Sequence, residues 1–189
     1  MKQIKVFNKL ALLFFLILIG CKKEDVLPDI THDGRNTFGM LINGEIWQPY
    51  VPGVFSPSSN APSIKYDETS NLLIIEAENL HTNESLFFIS TNIKNIGIYH
   101  FSYKQYANVP DSLINIYDFC KDSTRFELNF ICSGSYKLQD SLISKLEITR
   151  LDISAKIISG TFSLKMKNQT GNYLEITEGR FDAKYNQSK

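Results

Sequence analysis

The chain has 189 residues, 43% of them hydrophobic, with 20 basic and 20 acidic side chains. That apolar share excludes a disordered polymer, and the length suits one ordinary domain with a sizeable core. There is no basic patch or arginine-rich run, so nucleic acid is not an expected partner.

The chain opens "MKQIKVFNKLALLFFLILIGC". Lys2, Lys5 and Lys9 form a positive n-region, and Leu10 to Ile19 is an unbroken apolar run of ten residues. Such a run is a signal-peptide h-region, too short to span a bilayer as a helix. It ends in Leu18-Ile19-Gly20-Cys21, which resembles a bacterial lipobox. In that class the Cys21 thiol takes a diacylglycerol, the signal is cut ahead of it, and the new amino group is usually acylated too. More than one acyl chain is needed for lasting anchorage. Residues 1–20 are therefore expected to be a leader, with the chain held to the outer membrane through Cys21. Loss of the leader removes three of the 20 basic residues and none of the 20 acidic ones, leaving 17 against 20 and a net charge of −3. The charged tract after Cys21, "KKED", resembles a surface-export signal and equally suits a solvated spacer. Periplasmic and cell-surface faces stay open.

Residues 21–35 read as a lipidated tether, polar and without periodicity, and 36–189 as a single β-domain. Within the tether, "DITHDG" places Asp29, Thr31 and Asp33 at the offsets that begin a calcium loop. Its twelfth position is Met40, where a bidentate Glu is required, so a tight Asp-Gly turn explains it better. "NTFGMLINGEIW" is a hairpin: Phe38, Met40 and Ile42 alternate, and Asn43-Gly44 suits a type I′ turn. A Pro/Ser loop follows. "NLLIIEAENL" and "ESLFFISTNI" are apolar in both phases, as strands covered on both faces are. "GIYHFSY" puts Tyr99, Phe101 and Tyr103 on one face, before a second long loop. "TRFELNFIC" alternates Phe126, Leu128, Phe130 and Cys132 against polar residues.

"IISGTFSLKMK" directs Ile158, Phe162, Leu164 and Met166 one way, and Ser159, Thr161, Ser163, Lys165 and Lys167 toward water. The last strand carries Leu174 and Ile176 in one phase but Phe181, Ala183 and Tyr185 in the other. A bulge near Glu178-Gly179 would restore one apolar face. Nine to ten short strands and no long amphipathic helix predict an all-β fold. The reading is an antiparallel β-sandwich, with a closed or partly open barrel as the alternative.

The opening "NTFGMLINGEIW" and the closing "SGTFSLKMKN…GNYLEITEGRFDAKY" resemble a group of uncharacterised lipoproteins from Bacteroidota, a domain of unknown function. The resemblance covers about a third of the chain, at the two ends of the mature domain, and carries no catalytic residues across. The closing motif reads as structural. Gly160 marks a close backbone or aromatic approach, Gly179 suits the bulge, and Phe162 and Phe181 fill the core. Arg180 and Asp182 share one exposed face, where pairing would contribute only ~0–1 kcal/mol.

Signals for chemistry are sparse. Once lipidation takes Cys21, Cys120 and Cys132 remain, either as a disulfide, which an exported chain permits, or as two buried thiols. The three histidines, His32, His81 and His100, lack zinc-ligand spacing. No nucleophile elbow or phosphate-cradling loop occurs; Ser133-Gly134-Ser135 is turn-like. No catalytic residue, metal ligand or cofactor is assigned. Glu175, Glu178 and Asp182 would serve a glycosidase only if two of them faced each other across a cleft. Trp47 and Tyr50, beside the Pro/Ser loop, could stack a sugar or peptide, and Tyr99, Phe101, Tyr103 and Tyr106 form a second aromatic stripe; core packing is the favoured reading of both sets. The expectation is a non-enzymatic, lipid-anchored envelope domain that binds or scaffolds. Its alternative is a surface lipoprotein that binds a glycan or peptide, with a glycan or protein as the ligand, and less favoured is hydrolysis of an envelope polysaccharide.

Overall fold

The computed structural model describes residues 26–51, 61–82, 84–101, 120–121, 136–138, 144–168 and 170–185. Among the described residues, eleven strands lie in two antiparallel sheets, neither closed into a barrel, and no helix occurs. The first sheet has the order β2-β1-β11-β10-β9-β6: β2 Glu45–Trp47, β1 Thr37–Ile42, β11 Tyr173–Lys184, β10 Ile157–Asn168, β9 Ser144–Asp152 and β6 Gly97–Phe101. The short β8, Tyr136–Leu138, pairs with the far end of β10. The second sheet has the order β3-β4-β5-β7: Ser63–Asp67, Leu72–Asn79, Glu84–Ser90 and Cys120–Lys121.

The two sheets share one core. Phe162 of β10 is its hub, with ring centroids 5.5 Å from Phe38, 5.3 Å from Phe88 across the sandwich and 6.5 Å from Phe181. Tyr66 of β3 and Tyr185 beyond β11 also meet across the sheets, edge to face at 5.3 Å. The β-sandwich reading holds.

Local chemistry explains the strands. Asn43 and Gly44 both take positive φ, 50° and 88°, as a type I′ turn requires. β11 carries the expected extra residue. Phe162 faces Gly179 and Leu164 faces Ile176, so Ser163 opposes both Thr177 and Glu178, and Glu178 has φ 49°. The bulge returns Phe181, Ala183 and Tyr185 to the side that Leu174 and Ile176 occupy, and all five are buried.

Gly160 and Gly179 are explained together. In register, Gly160 opposes Phe181 and Phe162 opposes Gly179. A Cβ on Gly179 would lie 2.5 Å from the Phe162 ring, and one on Gly160 would meet the Glu147 carbonyl and stand 2.9 Å from the Phe181 ring. Each glycine makes room for the phenylalanine of the other strand.

β4 is central to its sheet, as its doubled apolar phases predict. Leu73, Ile75 and Ala77 point to the core, while Leu72 and Ile74 are partly covered on the other face. β9 corresponds to no expected strand, although Leu146 and Ile148 alternate cleanly with Lys145 and Glu147. Its pattern breaks at Thr149, the extra residue where the register with β10 shifts. The strand expected over "TRFELNFIC" lies outside the described residues.

The tether reading does not describe residues 26–35. This segment is strapped over the outer face of the first sheet, beginning at the β2 edge, where Gln48 Nε2 donates to the Val26 carbonyl. Pro28 Cδ occupies the space over Gly39 of β1, 2.6 Å from where a Cβ would stand. Arg180 donates to the Pro28 carbonyl at 3.4 Å and Arg150 to the His32 carbonyl.

Candidate functional site

The strap is held by a single carboxylate. Asp182 of β11 is 1% exposed. It accepts five hydrogen bonds: from Thr31 Oγ1 at 2.6 Å, from the amides of Asp33, Gly34 and Arg35 at 3.0, 2.8 and 3.1 Å, and from Ser159 Oγ at 2.7 Å. Three successive amides converge because Gly34 takes φ 72°, which forms a concave nest that favours an anion. The stretch with calcium-loop offsets is thus an anion cradle filled by the protein's own carboxylate. Burial pushes the Asp182 carboxyl up, but the bonds from Thr31, Ser159, Arg35 and Gly34 outweigh it and hold the group below its ordinary range. Asp182 is thus a buried clasp and not an exposed member of a cross-strand pair. Ser159, expected to face water, is fully buried beneath the strap for the same reason.

Beside the clasp, the strap walls a groove of about 390 Å³ on the outer face of the first sheet. Ile30 forms the wall. Thr161 and Ser163 of β10, Lys145 of β9, and Glu178 and Arg180 of β11 line the rest, with Gly179 and Phe162 completing it. The bulge creates this place, since it turns Glu178 out of the regular alternation. Arg180 is fixed from three sides: Nη2 to the Glu178 carboxylate at 2.9 Å, Nε to the Glu178 carbonyl at 3.1 Å, and Nη1 to Pro28. Lys145 pairs with Glu147 at 3.0 Å.

The structure separates the three acids of the final strand. Glu175 pairs with Lys165 at 3.2 Å in the open, Glu178 lines the groove, and Asp182 is sealed in the clasp. No two of them face each other across the groove, which of the three holds Glu178 alone. Among the described residues no group of three or more His, Cys, Asp or Glu is placed to hold a metal. His81 lies in the β4–β5 turn and His100 is exposed on β6.

Trp47 is not a stacking platform. It is 4% exposed, edge-on to Phe38 at 6.2 Å, and its Nε1 donates to Glu84 at 2.9 Å. The two-residue turn sets Met40 opposite Trp47, and Met40 is wholly buried, so the indole must face inward too. Tyr50 is 43% exposed and packs edge-on to His81 at 6.0 Å. Its backbone ties the end of β2 to β4, with Tyr50 N donating to Glu78 at 2.9 Å and Leu80 N donating to Tyr50 at 2.8 Å. The two aromatics therefore do not form one surface. Tyr99 faces inward, its hydroxyl bonded to the Asn95 backbone, and Tyr103 and Tyr106 lie outside the described residues. So do Cys21, Cys132, the Cys120 side chain and Ser133-Gly134-Ser135.

The groove residues were not expected as a site. The one signal for them was the run of outward hydroxyls, Thr161 and Ser163, beside an expected bulge.

Among the described residues no helix is long and apolar enough to cross a membrane. No protein-family model, curated protein or solved structure matches the chain.

Proposed function

We propose that the protein is a lipid-anchored domain of the bacterial cell envelope, held to the outer membrane through Cys21, that binds or scaffolds and does not catalyse. The resemblance to Bacteroidota lipoproteins and the lipobox-like Leu18 to Cys21 point the same way. The observation that carries the reading is the strap. Four residues lie between Cys21 and Val26, whose carbonyl is bonded to Gln48, so five Cα-to-Cα steps let the anchor stand no farther than about 18 Å from the sandwich. A lead that short keeps a binding face near the membrane. The dispersal of Glu175, Glu178 and Asp182 supports the non-enzymatic part.

Metabolic labelling with an alkyne fatty acid tests the reading. Wild type is expected to carry label and to fractionate with the outer membrane; Cys21→Ser is expected to lose both. Equal labelling of Cys21→Ser would refute lipid attachment at this residue. Protease shaving of intact cells then reports which face the domain occupies.

A further inference from the structure

We propose that the groove over the β11 bulge is a binding site for a short neutral oligosaccharide. This deepens the reading of the protein as a binding domain and rests on it. Four features of the groove select the ligand class.

The first is charge. The ionic groups of the groove are compensated, Arg180 by Glu178 at 2.9 Å and Lys145 by Glu147 at 3.0 Å. The lining carries two cations and one acid, but each cation is already paired, Lys145 with the Glu147 carboxylate just outside the lining, so little free charge is left to draw an ion. The second is unused hydrogen-bonding capacity. The Thr161 and Ser163 hydroxyls line the groove and have no hydrogen-bond partner among the described residues. Each can both donate and accept, which is what a ring of sugar hydroxyls demands. The Glu178 carboxylate adds acceptors and Lys145 adds donors.

The third is the apolar wall. Ile30 is 55% exposed and held in place by the clasp one residue on, at Thr31. It offers a surface for the C–H face of a pyranose. The fourth is position. The groove lies over β9, β10 and β11 in the interior of the sheet, where β10 is paired on both sides apart from the bulges at Glu178 and Thr149. An extended peptide binds through main-chain bonds to a free sheet edge, and no such edge exists here. A volume near 390 Å³ falls within the usual range of ligand sites, ~300–1,000 Å³.

The test is calorimetric titration of the full-length lipidated protein in detergent with maltotriose, cellotriose, mannotriose and chitotriose, alongside trigalacturonate and triglycine. At least one neutral trisaccharide is expected to bind. The double variant Thr161→Val/Ser163→Ala, which keeps side-chain bulk on an exposed face, should weaken that binding at least ten-fold. Lys165→Ala, on the same strand outside the groove, should leave it unchanged. An unaltered urea midpoint for the double variant would confirm that only the site is lost. The proposal is overturned if no neutral trisaccharide binds, if trigalacturonate or triglycine binds in their place, or if the double variant binds as wild type does. Trisaccharide binding by a protein that takes up no fatty acid would uphold the site while refuting the anchor.

Discussion

At the scale of single residues, Asp182 organises the outer face. Replacing its carboxylate by a methyl group leaves three amides and two hydroxyls converging on nothing. Losing charge-assisted bonds and stranding their donors costs about 3 kcal/mol. Asp182→Ala should therefore lower the unfolding free energy, read from urea denaturation, by an amount of that order. The pH dependence has a definite sign. The folded carboxyl sits below its ordinary range, so its contribution is complete above the unfolded value of ~3.9 and is lost as pH falls through the folded value. Wild type should accordingly lose stability on acidification below about pH 4, and Asp182→Asn should show a flatter profile in the same window. Trp47 and Tyr50 separate at this scale too. Trp47→Ala removes a buried indole and should cost about 3–5 kcal/mol. Tyr50→Ala, at a half-exposed position, should stay within roughly 0.5–1 kcal/mol in the same denaturation experiment.

At the scale of elements, β10 and β11 are matched by reciprocal exchange of bulk. A methyl on Gly179 must displace the Phe162 ring, and overpacking of this kind costs about 1–3 kcal/mol. Gly179→Ala should destabilise by that much, and adding Phe162→Leu should recover part of the loss, a non-additivity that a double-mutant cycle in urea reads directly. The elements also show which features are legible in a sequence. The Asn43-Gly44 turn and the β11 bulge follow from rules local to a few residues, and both are found where the pattern placed them. The inward Trp47 was equally within reach, because counting outward from a two-residue turn pairs it with Met40. β9 was missed because Thr149 interrupts its alternation. The Asp182 clasp was not legible at all: its donors in the strap lie 147 to 151 residues away along the chain. Only closure of β1 against β11 brings them together, and no local periodicity encodes that.

At the scale of the whole molecule, these features combine into a sandwich whose N-terminal segment is part of its structure. The strap crosses from the β2 edge to the clasp, shapes the groove with Ile30, and leaves a short lead between Cys21 and the sheet. The sandwich class was readable from strand count and alternation. The groove was not, since it needs a bulge on β11, hydroxyls on β10 and a wall from the strap in one place. All of this depends on residues 26–35 being docked. Hydrogen exchange on the full-length protein tests that most directly, read at the amides of Asp33, Gly34 and Arg35. These amides should exchange slowly in wild type and quickly in Asp182→Ala, while the β10–β11 ladder stays protected in both. Fast exchange at these three amides in wild type would contradict the clasp, and with it the short lead and the walled groove.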